Sequence, residues 1–453
     1  MPLISQNPYT GEVNKEFATI DNDQLTAIID KAHTAYLSWK QTDASEKRKL
    51  FLRMADILDE RNESYAKLET IEMGRLYGIA KKWLTGTANL IRWFANNFES
   101  ILANEAITEE WLSGHIQYDS IGVIYGVAPW NFPFNQLLRA AVPNILAGNT
   151  QVYKHASNVP MCLEAIQALF DDAGFPEWVF TALYISSSQS EHIISHPAVQ
   201  GVNLTGSEDA WAAIWSLAGK YLKRSVLELW WNDPFVVLDT NNIDTIVAEA
   251  TACRLSNGWQ RCNSSKRFVV LAKYYDAFVE KFGDFMSKQI VGDPMDPATH
   301  VPPMSSARLV QDIHKQVTQS IEQGARLVTG GTVIDEEKNL YAATVLADMQ
   351  PGMTSWEEEV FWPVASVIKA NDIDHAIQLA NTSDFGLSAV VYGDDAEQCK
   401  AVARQLEWGM IFINQPPGSK ASLPFWWVKK SGYGKENGPD GLKAFTNRKV
   451  VLE

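Results

Sequence analysis

The chain has 453 residues, of which 46% are apolar and 21% charged, and its net charge is −15. That length suits two or three domains with a large core, and so modest a charged fraction excludes disorder by composition. The negative charge argues against sequence-independent nucleic-acid binding and against docking on anionic lipid, both of which need a cationic surface.

The four cysteines, Cys162, Cys253, Cys262 and Cys399, form no C-x-x-C pair and no disulfide framework, so a reducing cytoplasm is expected. The first residues lack a basic stretch followed by an apolar run, and no apolar run is long enough to span a bilayer, so neither a signal peptide nor a membrane span is expected. The 16 tryptophans are far above ordinary usage, and two pairs are adjacent: Trp230-Trp231 and Trp426-Trp427.

In chain order, residues 21–105 read as helices; from Asp43 to Glu60, Leu50, Met54 and Leu58 recur four apart on one face. Residues 111–127 read as strands. From 140 to 270 strand-like segments (Thr150–Tyr153, Val179–Leu183, Gly201–Leu204, Phe235–Leu238) alternate with helices such as 161–173 and 209–219. That alternation predicts a parallel sheet covered by helices on both faces. After Lys266 a second series begins, with Phe268–Leu271, a helix over 273–288 and Arg326–Thr329, so two α/β domains follow one another. The tail, Phe445–Leu452, is strand-like.

Four segments carry chemistry. Cys262 lies in Asn257-Gly258-Trp259-Gln260-Arg261-Cys262-Asn263; most cysteines are small buried hydrophobes, but cationic Arg261 and Lys266 nearby would lower its pKa. Glu228 ends an apolar strand just before a turn. It is a solvated terminus on its own, and a natural general base if buried beside a thiol. Asn131, held between Pro129 and Pro133, is a rigid amide donor for an oxyanion, or else an Asx turn. At Thr205-Gly206-Ser207 a strand gives way to a helix, and the helix start offers backbone N–H groups to a pyrophosphate. His192 and His196, four apart on an expected helix, have no acidic partners and read as a solvated face, so no metal is expected.

The order and spacing of these segments resemble the aldehyde dehydrogenase superfamily over nearly the whole chain. The resemblance makes Cys262 the nucleophile, Glu228 the general base and Asn131 the oxyanion donor. It assigns Trp130, Lys154, Ser157, Thr205, Gly206, Ser207, Leu229, Glu359 and Phe361 to cofactor binding, with Lys154 on the ribose and Glu359 and Phe361 on the nicotinamide ribose and ring. Asn414, Pro424-Phe425 and Lys430–Gly434 match the later part of the catalytic domain. The implied reaction oxidises an aldehyde with NAD or NADP through a Cys262 thioester. The run Cys262–Phe268 and Leu423-Pro424-Phe425 look like the short succinate-semialdehyde type. Ser157 stands where many members carry a glutamate for the ribose 2′-hydroxyl; a small neutral residue leaves room for a 2′-phosphate. The implied fold is two Rossmann-like parallel-sheet domains, with 1–102 and 123–230 binding NAD(P) and 231–434 catalytic. A small β arm of 103–122 and 435–453 would make a homodimer or homotetramer.

One feature departs from the pattern. Glycine is the family's residue at the positions of Trp211, Trp230, Trp231, Trp259, Trp362, Trp426 and Trp427, and is usual at Trp178 and Trp215; Trp39 and Trp130 sit where tryptophan is at home. Overfilling a packed site costs about 1–3 kcal/mol, against a total stability of roughly 5–15 kcal/mol, so indoles at all these sites would exceed the margin. Two readings follow: a catalytically inactive family-like protein, or a gene whose UGA codons, read as glycine in its host, have been translated as tryptophan.

Overall fold

The computed structural model describes residues 2–109, 111–206, 208–229, 231–255 and 260–453, without the side chains of 208–211. Ser207, Trp230 and Trp259, and the side chain of Trp211, lie outside the described residues.

The expected N-terminal helices form as Asn22–Trp39, Ala44–Glu60, Asn62–Met73 and Tyr77–Ile101. The first is opened by a capping box, Asp21 accepting from the Gln24 N–H while the Gln24 side chain accepts from the Asp21 N–H. Leu50, Met54 and Leu58 face the core as their spacing predicts. A six-stranded sheet follows, in the order Gly432–Tyr433, Arg224–Glu228, Val199–Thr205, Val123–Ala128, Thr150–His155, Phe180–Ala182. All its pairings are parallel except the first. Its central strands are almost wholly buried, as strands covered on both faces must be. Gly126 lies under the Tyr153 ring, where a Cβ would come within 2.2 Å.

The second sheet has seven strands: Arg326–Thr329, Thr344–Ala347, Val364–Ala370, Arg267–Leu271, Pro234–Val237, Ser388–Tyr392 and Met410–Ile413. Only the edge strand Arg326–Thr329 runs antiparallel. Phe235, Phe268, Phe278 and Phe282 centre its core.

A three-stranded antiparallel sheet joins Glu105–Glu109, Leu112–Ser120 and Thr446–Leu452. The 435–453 segment is not all of one kind: before its strand, the Gly438–Lys443 helix packs on the Pro133–Leu146 and Tyr77–Ile101 helices. The expected catalytic segment 231–434 likewise ends by sending Gly432–Tyr433 back into the first sheet. The expected helix around 192–196 is shorter than its histidine spacing suggested: it covers Ser190–Ser195, with His196 at its C-cap. His192 meets Thr26 and His196 meets Asp30, and among the described residues no group of three potential metal ligands forms. No described helix is long and apolar enough to cross a membrane.

Candidate active site

Cys262 and Glu228 meet where the two sheets adjoin. Glu228 is the last residue of its strand, and the solvated terminus that its position allows is not what forms: it is 0% exposed. The Cys262 thiol lies beside its carboxylate. Burial, partly offset by Arg139, raises the Glu228 pKa to about 7. Cys262 is 7% exposed, and burial followed by the Glu228 charge pushes its pKa up. Arg139, Lys266 and Arg261 oppose that shift without overcoming it, so the expectation that neighbouring cations depress this thiol fails. The resting nucleophile is a thiol, with the Glu228 carboxylate beside it as the candidate proton acceptor.

Sequence reasoning missed the cation that holds this pair. Arg139 lies on the Pro133–Leu146 helix, which is buried along almost its whole length. Its guanidinium donates to Glu228 and, at 2.6 Å, to Glu436, and it lies 4.4 Å from the Phe425 ring centre. The available signal was an arginine inside an apolar helix, a residue that is fully buried almost only when paired. Glu436 also accepts from Asn203 at 3.3 Å.

Asn131 sits in the turn before the same helix. Its Nδ2 donates to the Gln260 carbonyl at 2.9 Å, two residues before the nucleophile, so the amide is aimed at the thiol loop. The turn is fixed from beneath by a second buried arginine that sequence reasoning also passed over. Arg75 donates to the Asn131 carbonyl, pairs with Glu69 at 2.7 Å and lies 4.3 Å from the Phe132 ring centre. Glu69 in turn accepts from the Phe134 N–H at 3.5 Å.

The expected cofactor residues fall at the C-terminal ends of the first sheet's strands and on the facing edge of the second. Such strand ends are where ligands bind in open α/β sheets. Lys154 is half-buried near its strand end, where burial lowers its pKa; its ammonium donates to the His155 carbonyl at 3.2 Å, and among the described residues no carboxylate pairs with it. Ser157 is exposed in the turn that follows. Thr205 lies opposite Glu228 in the sheet, and the Gly206 N–H donates to the Glu228 carbonyl at 3.2 Å. The Leu229 N–H donates to the Ser431 carbonyl. Trp130 and Phe361 meet edge to face at 5.8 Å. Glu359, its pKa raised by burial, pairs with Lys266 at 3.1 Å and lies beside the Trp231 main chain. A donor without a carboxylate partner at one strand end and a buried carboxylate beside an aromatic pair at the other suit a dinucleotide's two riboses.

Beside Cys262 a small cavity is lined by Trp83, Phe132, Gln136, Arg139, Arg261 and Phe425. An enclosed thiol, a carboxylate with a raised pKa and an amide donor aimed at the thiol loop can together support acyl transfer.

This fold and site are those of a thiol-dependent oxidoreductase, and comparison with known proteins makes the class definite. The aldehyde dehydrogenase family model matches residues 3–451, and the chain belongs to that family. The chain is 40% identical over 450 residues to a succinate-semialdehyde dehydrogenase [NADP(+)] of Deinococcus radiodurans, covering 99% of this chain and 94% of that protein. It is 37% identical over 454 residues to succinate-semialdehyde dehydrogenase [NADP(+)] 1 of Mycobacterium bovis, covering 100% and 99%. Among solved structures it is similar to succinic semialdehyde dehydrogenase from Streptococcus pyogenes in complex with NADP+, with a TM-score of 0.97, 35% identity and 99% of each chain covered. The chain is therefore an NAD(P)-dependent aldehyde dehydrogenase by family, and the reading of a non-catalytic relative finds no support in these matches.

Proposed function

We propose that the enzyme oxidises succinate semialdehyde, or a similar small semialdehyde carrying a carboxylate, with NADP preferred. The observation that carries the substrate is the pair of guanidiniums, Arg139 and Arg261, lining the small cavity beside Cys262. An acid group on an aldehyde bound at Cys262 meets cationic walls there. The names of the similar proteins point the same way.

In this reading Glu228 accepts the Cys262 proton, and the sulfur attacks the aldehyde carbon. The Asn131 amide and the Cys262 main-chain N–H hold the oxyanion. The bound nicotinamide supplies the hydride acceptor, and the product on the enzyme is a Cys262 thioester. Arg139 holds Glu228 and Glu436 at rest. Once Glu228 has released the Cys262 proton to solvent and a substrate carboxylate engages this guanidinium, the freed Glu228 carboxylate takes a proton from the water that attacks the thioester, and the C–S bond breaks with its electron pair returning to Cys262. Lys154 and Glu359 hold the riboses, Trp130 and Phe361 border the ring, and Thr205 and Gly206 face the pyrophosphate; Ser207 is assigned there by the family pattern alone. Exposed Ser157 adds no negative charge where a 2′-phosphate would lie. The assignment of 1–102 and 123–230 to the nucleotide, of 231–434 to catalysis and of the three-stranded sheet to a dimer or tetramer contact belongs to the same proposal, as does a cytoplasmic location.

The test is a panel of aldehydes with both nucleotides, run on the protein with glycine restored at the tryptophan positions named above. Highest kcat/KM is expected for four-carbon semialdehydes with NADP. Arg139→Met should raise KM for the semialdehyde more than for a neutral aldehyde of equal length. Equal kcat/KM for neutral and acidic aldehydes would discard the substrate assignment.

A further inference from the structure

Hydride transfer needs the nicotinamide carbon within about 3–3.5 Å of the carbon held on Cys262. The groups placed to receive that end of the nucleotide are Trp130, Phe361 and Glu359, and two tryptophans pack in one apolar cluster with the thiol. The Trp231 main chain lies beside the Glu359 carboxylate, and its ring packs 6.2 Å from that of Trp427. Trp427 packs in turn on Phe425, and all three belong to one apolar cluster with Cys262. Trp231 and Trp427 are buried. The cavity that does open beside Cys262 is lined by neither Trp130, Phe361 nor Glu359, and it has room for about a single water.

The Trp427 indole is poorly provided for. Buried tryptophans ordinarily find a partner for the ring N–H. Among the described residues the ring N–H groups of Trp356, Trp362, Trp408 and Trp427 are buried without one. Gly432 shows how little space remains: a Cβ there would stand 3.1 Å from the Trp427 ring nitrogen and 1.9 Å from the Leu227 carbonyl oxygen. A third tryptophan is at odds with its backbone. Trp178 is the third residue of a turn closed by the Val179 N–H on the Pro176 carbonyl, and its φ is +70°. A left-handed residue at that point of a turn is ordinarily glycine.

We propose that the indoles of Trp231 and Trp427 fill the nicotinamide's approach to Cys262, and that the catalytically open enzyme carries glycine at these two positions and at 178. The proposal rests on the reading of this site as an aldehyde dehydrogenase. It concerns what blocks the site and leaves the choice of aldehyde aside.

The test compares the chain as written with a W231G/W427G variant, using NADP+ binding by calorimetry and alkylation of Cys262 by iodoacetamide. The variant should bind NADP+ at least about tenfold more tightly. NADP+ should change the alkylation rate in the variant alone. A smaller gain in affinity, or equal protection of both proteins, overturns the plug. W231A/W427A serves if the glycine pair does not fold. Peptide masses of the protein from its own cells decide the identity: glycine at 231 and 427 supports the proposal, and tryptophan at both overturns it. At the turn, Trp178→Gly should unfold at higher urea than Trp178→Ala, and equal midpoints overturn the assignment of that position. If the open variant binds NADP+ and oxidises no aldehyde, the enzymatic reading fails while the plug stands.

Discussion

Glu228 shows how far a single side chain's chemistry depends on what surrounds it. Burial holds its proton more tightly than water would, and the resulting pKa of about 7 suits a group that must take up and release protons near neutrality. The sign follows from which form works. The base is the carboxylate, so kcat should rise with pH through a midpoint near 7. A steady-state profile of the open enzyme checks this, and Glu228→Gln should lower kcat with loss of that limb. For stability the same shift acts oppositely. A carboxyl held protonated in the fold contributes below its ordinary value, and that contribution is lost as pH rises toward 7. Cys262, Glu228 and Asn131 were singled out in the sequence by the order and spacing of their segments taken together, since none of the three stands out by itself. Arg139, Arg75 and Glu436 were not, because their roles come from partners tens or hundreds of residues away.

Among the elements, the Pro133–Leu146 helix and the turn before it organise the site. The turn carries Asn131, the helix carries Arg139, and the Glu69–Arg75 pair supports both from below. Burying an ion pair is a weak source of stability, since desolvation offsets much of its attraction. Its fit to the Asn131 carbonyl argues for a positioning role. Loss of one oxyanion donor costs roughly 10²–10³ in kcat. Arg75→Met should therefore lower kcat by at least about tenfold with the nucleotide KM little changed, and Arg75→Lys should recover part of it. Equal losses in kcat and in nucleotide affinity would show that the pair merely holds the fold. The elements themselves were readable from periodicity. The helix at Ala44–Glu60 and the strand at Arg326–Thr329 lie where the pattern placed them. The helix around His192 was overextended, because histidines four apart mimic a helical face where the chain has already turned.

At the scale of the whole molecule, two parallel sheets and a small antiparallel one were expected and are present. The return of Gly432–Tyr433 to the first sheet was not, since two residues carry no periodic signal. The small sheet exposes Leu112, Val450 and Leu452. If that face joins subunits, Val450→Glu with Leu452→Glu should halve the mass measured by light scattering, and an unchanged mass would place the contact elsewhere.

That short return strand has a mechanical consequence. Gly432 pairs with Glu228 itself, and Leu229 is bonded to Ser431. The base is thus stitched to a segment that has just left the other sheet, and the two halves cannot be pulled apart without tearing the ladder at the reacting carboxylate. Heating should then melt both halves together in one transition. A fragment ending before residue 432 would lack the seam that seats its own base.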